Sequence, residues 1–184
     1  MIGAAFPSVL DAAQSGAPWA LERLYHAVAP AVTGYLRVQG CREAEDLTSE
    51  ALYRALRGIR SFTGDELKFR SWVFTITHHC LIDERRRAAR RPPVAEEHVE
   101  ELTVAAVGDV EDEALRRLST ERVRQMCDSL QADQRDVLLL RMAAGMTLEE
   151  TAAVVGKSVG AVKALQHRAV AALRRSFSWE GVSP

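Results

Sequence analysis

Leu21, Leu24, Tyr25, Val28, Val32, Tyr35 and Leu36 recur at steps of three and four. This spacing stacks apolar groups on one helical face and predicts a helix bent or divided near Pro30. After Gly40, a second stripe of Leu47, Ala51, Leu52, Ala55 and Ile59 follows Glu43, Glu45 and Asp46, acids that favour the start of a helix because they face its positive dipole end. Gly58 and Gly64 mark where it frays. A third helix is expected from about Phe69 to Arg90, with Trp72, Val73, Phe74, Ile76, Leu81 and Ile82 available to a core and Pro92-Pro93 stopping it.

Beyond the prolines the period is lost as far as Asp112, then resumes at Leu115, Leu118, Val123, Met126 and Leu130. A further helix covers Asp133 to Met142 and ends at Ala143-Ala144-Gly145. Thr147-Leu148-Glu149-Glu150 reads as a capping box, in which the Thr oxygen and the Glu carboxylate each satisfy an exposed amide. That helix stops at Gly156, and Ser158 caps a last one through about Leu173 on the stripe Val162, Leu165, Ala169 and Leu173. The fold class is all-α: two small helical domains, 1–91 and 113–184, joined by an acidic flexible linker over 92–112.

Net charge is only −1, but the segments differ sharply. Leu52 to Arg91 holds ten Lys and Arg against four acids, Pro92 to Leu115 holds eight acids and no Lys or Arg, and Ser158 to Arg175 holds four bases and no acid. Two basic regions flanking an acidic connector suit two separate polyanion contacts. Eight carboxylates without a Lys or Arg among them can also lie along a surface built to attract phosphates.

With 47% hydrophobic and 6% aromatic residues the composition is that of a helical protein with a buried core. Cys41, Cys80 and Cys127 offer no close pairing, and Met1 to Leu10 has neither a basic start nor an unbroken apolar run. A reducing compartment, the cytoplasm, is the expectation, with no membrane insertion. His78, His79 and Cys80 are consecutive, so on a helix they fan apart by about 100° and cannot converge on one metal. No phosphate loop, Ser-His-Asp set or paired-Cys spacing occurs, so no catalytic residue, metal or cofactor is assigned and no enzyme activity is expected.

Two short helices, a turn at Gly156 and a basic helix free of acids follow the helix-turn-helix plan, whose second helix enters the major groove. Its outward residues, Lys163, Ala164, Gln166, His167 and Arg168, with Ser158 at its start, could bond phosphates and base edges.

Leu130 to Arg141, Gly145 to Ala152, Gly160 to Lys163 and Arg168-Ala169 resemble the C-terminal domain of extracytoplasmic-function (ECF) sigma factors. Ala44 to Ala55, Phe69 to Ile76 and Ile82 to Arg87 resemble the N-terminal domain of the same family. The resemblance implies a region 2-like domain over 1–91 that binds core RNA polymerase and reads and melts the −10 element, and a region 4-like domain over 113–184 that reads the −35 element. The implied partners are core polymerase, through its largest-subunit clamp and flap regions, promoter DNA and an anti-sigma factor. Asp46, Leu47, Ser49, Glu50 and Arg54 are the implied polymerase contacts, with Ser49 standing where the family usually has Gln. For the −10 element the candidates are Arg60, Phe62, Lys68, Phe69, Arg70, Trp72, His79, Asp83, Arg86 and Arg87, a basic and aromatic mixture suited to an unstacked strand. His79 stands where the family often has Asn, and Arg85, Arg90 and Arg91 extend the phosphate-tracking run. The competing readings are a stand-alone helix-turn-helix regulator, which would bind duplex DNA unaided, and a sigma-like adaptor that binds polymerase or an anti-sigma protein without supporting initiation.

Overall fold

The computed structural model describes residues 1–90 and 120–177, and every described regular element is helical. Helix α1 (Phe6–Gln14) follows a 3-10 turn at Gly3–Ala5; α2 is Pro18–Val38, α3 Ala44–Arg57 and α4 Glu66–Arg90, with a 3-10 turn at Ile59–Ser61 between the last two. Residues 120–128 are helical (α5), followed by α6 (Ala132–Ala143), α7 (Leu148–Val155) and α8 (Val159–Phe177). The acidic connector lies outside the described residues, apart from its separation of the two helical groups in the chain.

Helix α1 is an element the sequence reading did not anticipate. Phe6, Val9, Leu10 and Ala13 are buried at helical spacing, and Pro7 is harmless in the first turn, where its missing N–H has no intrahelical partner. The Gln14 amide donates to the carbonyls of Ile59 and Phe62, pinning the turn that precedes α4.

Helix α2 runs unbroken through Pro30, contrary to the expected division. The proline is exposed, and the stripe of Leu24, Val28, Val32, Tyr35 and Leu36 continues across it. Burial of that stripe outweighs the loss of one backbone bond. Helix α4 starts three residues before Phe69 because the Asp65 carboxylate accepts the Lys68 N–H at 2.8 Å. The carboxylate of Glu66 in turn accepts the backbone N–H groups of Ile2 and Gly3. Phe69, Val73, Phe74 and Leu81 bury one side of α4 against α2 and α3, while Trp72, Ile76 and Ile82 are only partly covered.

In the C-terminal group both capping-box bonds are present: the Glu150 N–H donates to Thr147 Oγ1 at 3.1 Å and the Thr147 N–H to Glu150 Oε2 at 2.7 Å. Gly156 ends α7 with φ of 65°, a left-handed conformation that costs a residue bearing Cβ about 1–2 kcal/mol. Ser158 Oγ accepts the Ala161 N–H at 3.2 Å, starting α8. Val137, Ala152, Val162 and Leu165 form a small core beneath the α7–α8 turn. Leu138, Leu139 and Leu140 of α6 join the core cluster of the N-terminal helices, while Met142 is exposed.

Two substitutions test this account of the turn. Thr147→Ala should lower unfolding free energy by about 1 kcal/mol through loss of the cap, and Gly156→Ala by about 1–2 kcal/mol through the left-handed backbone. Urea unfolding followed by circular dichroism measures both, and a parental midpoint for either would remove the corresponding cause.

Candidate nucleic-acid interface

Val162, Leu165 and Ala169 turn inward on α8, which leaves Lys163, Ala164, His167 and Arg168 exposed and Gln166 at the margin. Arg168 Nε donates to the Ala164 carbonyl at 3.3 Å, holding the guanidinium along its own helix. Lys163, His167, Arg174 and Arg175 line a shallow groove with Arg141 of α6, and Arg141 is fixed by donating to the Met146 carbonyl. Ser158 is spent on capping, so its contribution is to set where the helix begins.

The second surface lies on α3. Leu47, Ala51, Leu52 and Ala55 are buried, so Asp46, Ser49, Glu50 and Arg54 emerge on the other side. Arg54 pairs with Glu50, a surface contact worth a few tenths of a kcal/mol, and Ser49 Oγ donates to the Glu45 carbonyl at 3.1 Å. Leu47 is 5% exposed. Its side chain anchors the helix and is withdrawn from the contact set. Tyr53, 63% exposed, extends the same face with the Arg57 guanidinium 5.7 Å from its ring centre. The sequence analysis assigns Tyr53 to neither the buried stripe nor the contact set, although its step of three from Glu50 and four from Arg57 puts it on the outward face.

The aromatics expected to hold a separated strand are largely committed elsewhere. Phe69 is 1% exposed and packs on Phe6, with ring centres 5.7 Å apart. Phe62 is buried too, stacked on Trp72 at 5.1 Å, and the Trp72 indole lies against Gly58. Phe62 and Phe69 therefore build the platform beneath the α3–α4 turn and cannot stack on bases without unpacking it. Trp72 retains a partly exposed edge. Arg60 and Lys68 are exposed around this platform, and His79 and Asp83 stand one helical turn apart on the exposed side of α4. Arg86 and Arg87 pair with Asp83 and Glu84 of the same helix at 3.7 and 3.0 Å.

Arg70 and Arg85 behave differently. Arg70 Nε donates to the Ala143 carbonyl of α6 at 2.6 Å, its guanidinium lies 5.5 Å from the Phe74 ring centre, and burial pulls its pKa down. Arg85 donates to Gln39 of α2 and approaches Asp136 of α6 at 3.8 Å. Gln39 Nε2 completes the seam by donating to Asp136 Oδ1 at 2.6 Å. Beneath it the Tyr35 hydroxyl and His78 Nδ1 are 2.9 Å apart. Burial drives the Tyr35 pKa up and the His78 pKa down; Asp136 opposes the His78 shift, while His79 and Arg85 add to it. No periodicity signals this cluster, because Gln39 and Asp136 are 97 residues apart in the chain.

Known proteins share both halves in the same order. Residues 24–91 match the family model of Sigma-70 region 2, and residues 128–175 that of Sigma-70, region 4. The ECF RNA polymerase sigma factor SigD of Mycobacterium tuberculosis is 30% identical over 180 residues, covering 95% of this chain and 84% of SigD. The chain belongs to the ECF sigma factors. The ECF RNA polymerase sigma factor BldN of Streptomyces coelicolor is 35% identical over 91% of this chain, which spans 64% of BldN's length. Among solved structures, CnrH in complex with the cytosolic domain of CnrY is similar at a TM-score of 0.60 and 26% identity, covering 96% of this chain and 99% of that one. Sigma factors are not themselves catalysts, and no helix among the described residues of this one is long and apolar enough to cross a membrane.

The buried His78 is expected to make stability depend on pH. Its folded pKa lies below the ordinary histidine value, so near pH 6 the unfolded chain binds more protons, and stability present above the unfolded pKa is lost as pH falls. Urea midpoints should decline from pH 7.5 to 5.5, with His78 contributing at most about 1.4 kcal/mol per pH unit. His78→Gln should flatten the decline; an unchanged pH slope in that variant would assign it to other groups.

Proposed function

We propose that this chain binds core RNA polymerase and confers promoter-specific initiation, with 1–91 engaging the polymerase clamp and the −10 element and 113–184 engaging the −35 duplex. The observation that carries the reading is the presence, in one chain, of an outward Asp46–Glu50–Arg54 face on α3 and an acid-free outward face on α8. The first suits a basic protein partner and the second a polyanion. Membership of the ECF sigma family supports assigning these faces to polymerase and promoter. A free regulator would have no use for the α3 face.

On the −10 side the working residues are Arg60, Lys68, His79, Asp83, Arg86 and Arg87, with the Trp72 edge over the Phe62–Phe69 platform. Arg70 joins them once released from Ala143. The exposed cations track phosphates, while His79 and Asp83 are the pair positioned to discriminate a base. On the −35 side Lys163, Gln166, His167 and Arg168 reach the groove, and the small Ala164 leaves room for close approach. An anti-sigma partner is a second element of the proposal, supported by the likeness to CnrH, whose solved structure is a complex with the cytosolic domain of CnrY.

In vitro transcription on genomic fragments, with core polymerase alone or with this protein, tests the reading. Promoter-dependent transcripts are expected only with both, and binding to core without transcripts would favour the adaptor. Asp46→Ala with Glu50→Ala should weaken core binding about tenfold or more, about 1.4 kcal/mol, at parental helicity; unchanged binding would remove the clamp assignment.

On duplexes varied within the −35 element, Arg168→Ala should relax base preference by about 1–3 kcal/mol at one position, whereas Arg174→Ala should weaken all sequences alike. Uniform losses in both variants would make Arg168 a phosphate anchor.

A further inference from the structure

Gln39 at the C-cap of α2, Arg85 of α4 and Asp136 of α6 meet where α6 rests on the N-terminal helices. Arg85 Nη2 donates to the Gln39 backbone carbonyl at 3.0 Å and to its Oε1 at 2.9 Å. That bond orients the Gln39 amide so that Nε2 is free to donate outward, and it does so to Asp136 Oδ1 at 2.6 Å. Arg85 Nη1 stands 3.8 Å from the same oxygen. An amide N–H and a guanidinium converging on one anionic oxygen form a cradle that suits a phosphate as well as a carboxylate.

The cradle lies within the basic part of α4. Arg86 and Arg87 pair along their own helix, while Arg85 donates to Gln39 and stands 3.8 Å from Asp136 of the other half of the chain. Arg70 donates across the seam to the Ala143 carbonyl of α6. The docked α6 thus engages Arg70 directly and sets a carboxylate against Arg85, beside the face assigned to the −10 strand.

The chemistry of α6 gives this a direction. Asp136 is 8% exposed beside Val137, Leu138, Leu139 and Leu140, and burying a carboxylate there costs free energy that an apolar residue would not. A wholly apolar contact would dock α6 with little response to polyanions. A carboxylate seated on Gln39 and Arg85 leaves the docking open to competition by another anion that those donors can hold.

We propose that Asp136 is an internal phosphate surrogate: in the free chain it occupies a Gln39–Arg85 anion subsite, masking it, and a backbone phosphate of promoter DNA takes its place when the two halves separate. This rests on the reading of α4 as the −10 face and adds to it a site and a competitor for that site.

The test uses the full chain without polymerase, titrated onto labelled single-stranded DNA at low salt. Asp136→Asn should bind about fivefold more tightly than the parent. Asp128→Asn, which removes one exposed carboxylate from the same half, supplies the baseline for lost charge and should change binding far less. Arg85→Ala should have little effect in the parent, where the subsite is filled, and should abolish the gain in the Asp136→Asn background. No gain beyond Asp128→Asn overturns the mask, and a gain that survives Arg85→Ala overturns the phosphate subsite. Small-angle scattering reads the docking without DNA: Asp136→Asn should have a larger radius of gyration than the parent, and an equal radius at parental helicity overturns the latch. Core-dependent transcription by the parent chain judges the sigma reading separately, since none of these measurements contains polymerase.

Discussion

Burial of Phe69, Val73, Phe74 and Leu81 against α2 and α3 fixes the rotation of α4 about its axis, and with it the direction in which every polar residue of that helix points. Because consecutive side chains advance by about 100°, holding that stripe inward turns His79, Asp83 and Arg86 outward. Arg70 and Arg85 emerge at the margin that meets α6. The same helix carries the Phe69 ring that supports the α3–α4 turn. A cavity in this stripe would loosen the face proposed for DNA, the turn and the seam to α6 together. Leu or Phe truncations in such a core generally cost about 2–5 kcal/mol, a large part of a small protein's stability.

Helices α2, α3, α4, α6, α7 and α8 were legible in the sequence because each carries a long stripe or a strong terminal signal. Thr147 with Glu150, Gly156 and Ser158 mark the helix-turn-helix almost residue by residue, since caps act locally and need no tertiary context. Helix α1 was not legible. Its stripe is only two turns long, and Pro7 looks like a breaker until it is known to occupy the first turn. Pro30 misled in the same way, because the apolar face of α2 on either side of it holds the helix together.

The candidate sites were legible in proportion to how far they depend on helical spacing alone. Asp46, Glu50 and Arg54 share a face by their steps of four, as do Lys163 and His167. The aromatic set was not separable in the same way: phenylalanines among cations look alike whether they stack on bases or on one another. The order Phe6, Phe69, Phe62, Trp72 requires α1 to be docked. Leu47 shows the converse limit, a motif residue whose part is to bury the helix that presents its neighbours.

The seam between the halves lies furthest from anything a local pattern could reveal, and it has the most consequence for how the chain behaves. Apolar contacts from α6 supply attraction without direction. Gln39, Arg85 and Asp136 supply direction, because Asp136 meets the Gln39 amide at 2.6 Å and the Arg85 guanidinium at 3.8 Å only when α6 is docked in one orientation. Separation leaves Gln39 and Arg85 able to regain bonds to water or phosphate, so the cost of opening depends on what is in solution. A helix pair joined only by leucines would lack that dependence. The polar seam makes the docked arrangement both specific and conditional, and its condition is the absence of a competing polyanion.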